Sequence, residues 1–154
     1  MSTNKQQIPT QKKGFSVNNV FSIIVAVTAA LCFLFLLTKG ISYSNPNASY
    51  AWSDKDLSVG SLIFGTEVFK GHPNAGLLSA FILMVAAIVL DIAMNWFTPA
   101  GYFSFLFFVT AGILWFCAVP LVGVEGSSLA VGTICLGVFN LIDAVLVFIG
   151  VAYR

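Results

Sequence analysis

Two carboxylates, Asp91 and Asp143, stand inside otherwise apolar stretches of this chain. An acid at the centre of a membrane helix costs about 2.5–3.5 kcal/mol on insertion scales, so each of them needs a compensating partner or a function. Asn95 follows Asp91 by four residues and Asn140 precedes Asp143 by three. On helices, each acid therefore shares a face with an amide. We call these four residues the polar seam.

The polar seam is compatible with three roles. Its side chains can hydrogen-bond across helices and fix the register of a bundle, with each bond worth about 0.6 kcal/mol. It can form a proton or cation site, since ionisable residues inside membranes often mark ion pathways. It can also dock another membrane subunit. If Asp91 and Asp143 approach each other, we expect at least one of them to be protonated and to donate a hydrogen bond.

The composition supplies the apolar surroundings that such a seam requires. Of the 154 residues, 58% are hydrophobic and 8% are charged, whereas soluble domains carry about 25% charged residues. A soluble monomer is therefore excluded. Seven Lys and Arg against six Asp and Glu give a net charge of +1, which leaves no basic surface for a nucleic-acid backbone.

Four windows of the chain have the length of a membrane helix, which needs about 20 mostly apolar residues. The segment 98–101 contains Pro99 and Gly101, which break a helix and force a tight reversal. Ser127 or Ser128 is a plausible N-cap for the last window. We expect an all-α membrane protein, an antiparallel four-transmembrane-helix bundle formed by residues 20–154. The expected spans are about 20–38, 76–97, 102–121 and 129–153.

The distribution of Lys and Arg favours an orientation in which both termini are cytoplasmic. The tail 1–19 is polar, and its basic residues Lys5, Lys12 and Lys13 precede the first span. Positive charge next to a span tends to stay inside, and the first helix usually sets the topology. In this orientation Trp96, Tyr102 and Tyr153 would form an aromatic belt at the inner interface. We expect a multi-pass protein of the plasma membrane.

About 35 residues, 40–75, separate the first two spans, which is long for a connection within a bundle. The stretch 57–69 is β-branched, aromatic and interrupted by glycines, which predicts short strands or a hairpin. A shallow helix capped by Ser53 is the alternative. The apolar side chains of this outer loop either pack on the outer ends of the helices or contact a partner. The candidate interaction residues are Trp52, Leu62, Ile63, Phe64 and Phe69.

The remaining reactive residues do not indicate an enzyme or a metal protein. Cys32, Cys117 and Cys135 all fall inside predicted spans, where a thiol behaves as a small apolar residue, so they cannot cross-link the outer loop. His72 is the only histidine, and its spacing to the loop acids matches no metal motif. We find no catalytic triad and no phosphate-binding glycine loop. We therefore expect no catalytic residues, no metal and no cofactor.

Two resemblances concern the layout of the chain. The hexapeptide Gly60–Gly65, GSLIFG, resembles a motif in uncharacterised small four-span membrane proteins of low-GC Gram-positive bacteria and mollicutes. It implies the four-span layout and carries no function. The long first outer loop also resembles that of animal claudin-type proteins. Those proteins carry a Trp, Gly-Leu-Trp and two-Cys signature there, whereas this loop has Trp52 and no Cys, so only the topology is similar.

These observations predict a non-enzymatic accessory or scaffold protein in the lipid bilayer. It would bind a membrane or surface protein, or a second copy of itself, through its outer loop and helix faces. The alternative is a proton- or cation-linked transporter or channel subunit that uses Asp91 and Asp143.

Overall fold

The computed structural model describes residues 17–43, 57–65, 72–123 and 126–153. The described chain is mostly helical, with one small antiparallel sheet. In chain order the elements are α1 (Val17–Phe35), β1 (Ile41–Tyr43), α2 (Val59–Phe64), α3 (Ala75–Ala93), α4 (Pro99–Phe116), α5 (Ala118–Val122), β2 (Ser127–Leu129) and α6 (Val131–Ala152).

Among the described residues, three helices are long and apolar enough to cross a membrane: α3, α4 and α6. They fall within or close to the second, third and fourth predicted spans. The apolar part of α1 that the structure describes in full, Val20–Phe35, is shorter. The membrane character expected from the composition is thus carried by three helices, with α1 packed beside them.

Helix α6 packs against α4 and α1, and α3 packs against α4 and, over a smaller area, against α1. Close approaches between glycines and their neighbours fix the directions. Gly101 at the start of α4 adjoins Val151 at the end of α6, and Gly112 adjoins Leu141, so α4 and α6 are antiparallel. Gly150 lies beside Phe21 of α1. Helix α1 therefore also runs antiparallel to α6.

The connection 94–98 joins α3 to α4, and these two helices pack against each other as the short reversal predicts. Pro99 occupies the first turn of α4, where its missing N–H is not needed. Near the other end, Pro120 cannot donate to the carbonyl of Phe116, and the helix breaks at Cys117 into α4 and α5. Gly123, with φ of 69°, then ends α5 in the left-handed conformation.

The first outer loop contains a short helix where strands were expected. Ser58, rather than Ser53, caps α2: its hydroxyl accepts from the Ser61 N–H at 3.2 Å. Gly65, with φ of 84°, follows the last helical residue. The prediction of strands or a hairpin in this stretch is therefore wrong for residues 59–64, and Ser53 lies outside the described residues.

The sheet joins two loops that are distant in sequence. β1 pairs with β2 in antiparallel register, with Ser42 opposite Ser128. Ser127 and Ser128 therefore belong to a strand and do not cap α6, whose N-cap is Ala130 without a side-chain hydrogen bond. We call residues 36–43, 57–65 and 126–130 the outer cap.

Main-chain hydrogen bonds hold the outer cap to the ends of α1 and α6. The Gly40 N–H donates to the Leu57 carbonyl at 2.7 Å, and the Gly60 N–H donates to the Leu36 carbonyl at 2.8 Å. The Gly132 N–H of α6 donates to the Lys39 carbonyl at 2.8 Å. The segment after α1 is thus bonded to both α2 and α6, which satisfies backbone groups that would otherwise be buried without partners.

Candidate functional site

A buried carboxylate occupies the middle of α6. Asp143 is completely buried, about 18 Å along the axis from the first residue of that helix. Its Oδ1 accepts a hydrogen bond from the hydroxyl of Thr28 on α1. Its other oxygen, Oδ2, has no hydrogen-bond partner among the described residues. The acid of the fourth predicted span is therefore bonded across to α1 through one oxygen only.

Asn140 lies one turn before Asp143 on the same buried face. Its amide nitrogen donates to the Leu136 carbonyl of the preceding turn at 2.7 Å. This bond fixes the orientation of the amide, since only the nitrogen can donate. The oxygen Oδ1 is buried without a hydrogen-bond partner in the part of the chain that the structure describes.

Asp91 reaches the same region from α3. It is 3% exposed and extends the buried stripe of small and apolar residues formed by Ala80, Met84 and Ala87. Its carboxyl group lies close enough to that of Asp143 for an electrostatic interaction between them. The structure thus brings Asp91, Asn140 and Asp143 into the interior of the bundle. Together with Thr28 we call them the polar cluster.

Asn95 does not belong to this cluster. Helix α3 ends at Ala93, so the helical spacing from Asp91 does not continue to residue 95. Asn95 is exposed, and its amide nitrogen donates to the nearby Ile92 carbonyl at 3.1 Å. The assignment of Asn95 to a shared face with Asp91 is therefore wrong, because it assumed a helix one turn longer than the one observed.

The candidate interaction residues of the outer loop separate into two groups. Leu62 is 2% exposed and Ile63 is 0% exposed, so both pack in the core and offer no surface to a partner. Their assignment to an interaction surface is wrong, and the alternative, packing on the helix ends, is observed. Phe64 is 56% exposed. Trp52 and Phe69 lie outside the described residues.

Phe64 forms part of an aromatic row across three helices. Its ring meets that of Phe81 on α3 edge to face, with centroids 5.7 Å apart. Phe81 meets Phe33 of α1 in the same geometry at 6.1 Å. Phe33 and Phe64 are both exposed, and Phe81 is half-buried. We call these three residues the aromatic ridge.

Two surface depressions accompany these features. A groove of about 380 Å³ runs along α6 and is lined entirely by aliphatic side chains, among them Leu141 and Val145. A smaller crevice of about 190 Å³ near the outer cap includes His72, Asn74 and Leu62. Within the described ranges, no group of three or more His, Cys, Asp or Glu side chains could hold a metal ion.

Three polar side chains inside the helices are not singled out by the sequence. Thr28 is the partner of Asp143, and Ser104 of α4 donates to the Ala87 carbonyl of α3 at 2.8 Å. Trp115 is completely buried, and its indole N–H has no acceptor among the described residues. For Thr28 and Ser104 the available signal is a hydroxyl in the middle of an apolar span, since such groups often bond across helices.

Comparison of the chain with protein-family models, with curated proteins and with solved structures found no match.

Proposed function

We propose that this chain is a non-enzymatic, four-span protein of the plasma membrane that acts as an accessory or interaction subunit. The packing of α1 supports a fourth span. A helix of 19 residues is about 28 Å long, close to the roughly 30 Å of a hydrocarbon core. It runs beside α6 from Phe21, near Gly150, to the segment that contacts Gly132. The similarity of Gly60–Gly65 to small four-span bacterial proteins remains part of this proposal and adds no function.

The proposed orientation places both termini in the cytoplasm. Exposed aromatic side chains gather where α3 ends and α4 begins, with Trp96 and Tyr102, and Tyr153 follows the end of α6. Such rings favour the interface between lipid and water. The outer cap would then face the outside of the cell. Lys5, Lys12 and Lys13 would stay inside with the tail.

Single-cysteine labelling tests this orientation in intact cells. In a variant that lacks Cys32, Cys117 and Cys135, a cysteine at Ser2 should react with an impermeant maleimide only after the membrane is opened. A cysteine replacing Ser128, exposed in the outer cap, should react without opening and serves as the control. Labelling at Ser2 in intact cells would contradict the proposed topology.

The aromatic ridge is the observation that carries the interaction role. Phe33 and Phe64 leave 44% and 56% of their surfaces exposed, although each ring contacts Phe81. Aromatic side chains bury large areas at low entropic cost and are enriched where protein interfaces form. The ridge also lies on the side where α1 and α3 meet over a small area only. These exposed rings support a contact at the ridge with a helix of a membrane partner or of a second copy.

Site-specific photocrosslinking tests the ridge in the native membrane. A photoreactive phenylalanine analogue at Phe64 or Phe33 should give one discrete protein adduct. The same analogue at Phe103, which is 54% exposed on α4, is the matched control and should give none. An adduct of twice the chain mass would identify a second copy as the partner. Equal adducts at all three positions, or none at the ridge, would refute the interaction role.

A proton- or cation-linked transporter or channel subunit is the second candidate function. The complete burial of Asp143, with Asp91 close by, favours it. The two candidates differ in what the carboxyl proton does. Substitution of Asp143 by Asn should leave the interaction role intact, whereas it should abolish transport, because an amide cannot titrate.

A further inference from the structure

Two acceptor oxygens lie buried on one face of α6 without donors. Asp143 Oδ2 and Asn140 Oδ1 have no hydrogen-bond partner among the described residues, and both side chains are completely buried. Residues three apart on a helix have β-carbons about 5–6 Å apart, a distance that two short side chains can bridge. Two acceptors cannot bond to each other, and an unpaired buried polar atom costs about 1–3 kcal/mol.

In the part of the chain that the structure describes, the surroundings of Asp143 supply no positive charge. Helix α1 presents the Thr28 hydroxyl and the Cys32 thiol, and α3 presents a second acid, Asp91. The buried residues of α4 are all small, apolar, aromatic or hydroxyl-bearing, and none of them has an acidic or basic side chain. Among the described residues, the basic side chains are Lys39 and His72, outside the long helices and toward the outer cap. An ionised Asp143 would thus be a buried charge without a counter-charge, which is strongly unfavourable.

We infer that Asp143 is a proton-binding site of this protein. A proton on Oδ2 turns one of the two orphaned acceptors into a donor, and the new O–H points its hydrogen to Asn140 Oδ1. Both orphaned atoms are then satisfied by one hydrogen bond. Oδ1 keeps the hydrogen bond that Thr28 donates. The proton is taken from water and returns to water on release, so the step involves no oxidation and no leaving group.

The same geometry disfavours a metal ion as the occupant. Hard divalent cations take six or more oxygen ligands in proteins. Among the described residues no group of three or more His, Cys, Asp or Glu side chains could hold a metal ion, and Thr28 already engages one oxygen of Asp143. A proton needs one donor position and one acceptor, which is what Asp143 and Asn140 provide. This inference is independent of the interaction role proposed above.

Infrared spectroscopy of the full chain in lipid nanodiscs tests the site at neutral pH. A protonated carboxyl has a C=O band that a carboxylate lacks. We expect this band in the wild-type protein, its loss in Asp143→Asn, and its retention in the matched control Asp91→Asn. Asn140→Leu should shift the band, because it removes the acceptor of the O–H. Sodium added at constant pH should leave the band unchanged.

Each other outcome overturns the assignment. Absence of the band in the wild-type protein would show that Asp143 is ionised. Loss of the band in Asp91→Asn, alone or together with Asp143→Asn, would place the proton on Asp91 or on the pair. Loss of the band on addition of sodium would identify a cation site. If Asp143→Asn does not fold, Thr28→Val replaces it, because removal of the donor to Oδ1 should shift the C=O band of Asp143 and of no other carboxyl.

Discussion

The outer cap and the polar cluster differ in how far their buried polar groups are paired by hydrogen bonds. In the outer cap, polar groups of the backbone are paired: residues 36–40 bond to α2 and to α6, and Thr133 donates to the Gly40 carbonyl at 2.6 Å. In the polar cluster, Asn140 and Asp143 each have one buried oxygen that accepts no hydrogen bond from the described residues. The inner side chains of the outer cap, such as Val59 and Ile63, are as completely buried as Asn140 and Asp143.

The difference separates a region built for stability from a region with unused hydrogen-bonding capacity. A backbone group that is buried must be paired, since it cannot be exchanged for an apolar one. A buried acidic side chain can be replaced by an apolar one through mutation. An acid that is retained with an oxygen that accepts no hydrogen bond from the described residues therefore indicates a requirement other than stability. Substitutions that create a cavity in the outer cap, or add volume to it, should therefore lower the free energy of unfolding strongly. Substitutions in the polar cluster should lower it less.

Removal of a buried side chain from the outer cap should have the largest effect. Ile63 is 0% exposed in α2, so Ile63→Ala leaves a cavity and should lower the free energy of unfolding by about 2–5 kcal/mol. Phe64→Ala, at the next position of the same helix but 56% exposed, is the control and should cost less than half as much. Thermal unfolding in detergent micelles measures both. Equal losses would mean that the outer cap is not packed as observed.

Added volume at the contact between the outer cap and α6 should have the next largest effect. A β-carbon at Gly132 would lie 2.7 Å from the Lys39 carbonyl oxygen and 2.7 Å from the Val59 side chain. The carbonyl belongs to the backbone and accepts from the Gly132 N–H. It cannot move without breaking that bond, so Gly132→Ala should destabilise the protein by about 1–3 kcal/mol.

Gly150 provides a matched control for Gly132 on the same helix. A β-carbon there would meet Met94 at 3.7 Å and Phe21 at 4.0 Å, which are ordinary contacts. Alanine is preferred over glycine inside a helix by roughly 0.5–1 kcal/mol. Gly150→Ala should therefore be neutral or stabilising in the same thermal assay. If Gly132→Ala also leaves the thermal stability unchanged, the main-chain hydrogen bonds do not hold the outer cap to α6.

The membrane helices follow from the sequence, whereas the outer cap does not. Runs of apolar residues and the Pro99 reversal place α3, α4 and α6, because length and hydrophobicity are local properties. The pairing of Ser42 with Ser128 joins residues 86 positions apart in three-residue strands. So short a strand carries no alternation pattern that could reveal it. In the stretch of α2, Gly60 and β-branched residues weaken the helical signal, so the sequence predicts strands there.

The polar cluster was predictable in part for a related reason. Asp91 and Asp143 are conspicuous because charge is costly in apolar helices. Thr28 is not, since a threonine can bond to its own helix, and its hydroxyl also lies 3.0 Å from the Ile24 carbonyl. Asn95 was misassigned because helical periodicity indicates a face but does not indicate where the helix ends.

The hydrogen bond between α1 and α6 should have a smaller effect than the changes in the outer cap. Thr28→Val keeps the shape of the side chain and removes the donor to Asp143. We expect a loss of about 0.6–1.7 kcal/mol, the range of hydrogen bonds between membrane helices. The control is Thr110→Val, an exposed threonine that donates to its own helix at Leu106. If both variants are equally stable, the Thr28 hydroxyl bonds to the backbone of α1 instead of Asp143.

The smallest effect is expected for the hydroxyl that joins α4 to α3. Ser104 is completely buried and donates to the Ala87 carbonyl at 2.8 Å. In Ser104→Ala that carbonyl remains within the hydrogen-bonded backbone of α3, so no atom is left without a partner. We expect a loss of about 0.6 kcal/mol, below that of Thr28→Val, which leaves the buried Oδ1 of Asp143 without the donor it has in the structure.

Ser79→Ala is the control for this smallest change, because the exposed Ser79 hydroxyl donates to the Ala75 carbonyl of its own helix. Chemical or thermal unfolding of the three variants in one detergent gives the ranking. Thr28→Val should be the least stable and Ser79→Ala should match the wild-type protein. If Ser104→Ala lowers the free energy of unfolding more than Thr28→Val, the bond to the Ala87 carbonyl stabilises the protein more than the bond between Thr28 and Asp143. The unpaired oxygens of Asn140 and Asp143 would then not set that cluster apart from the other buried polar contacts between the helices.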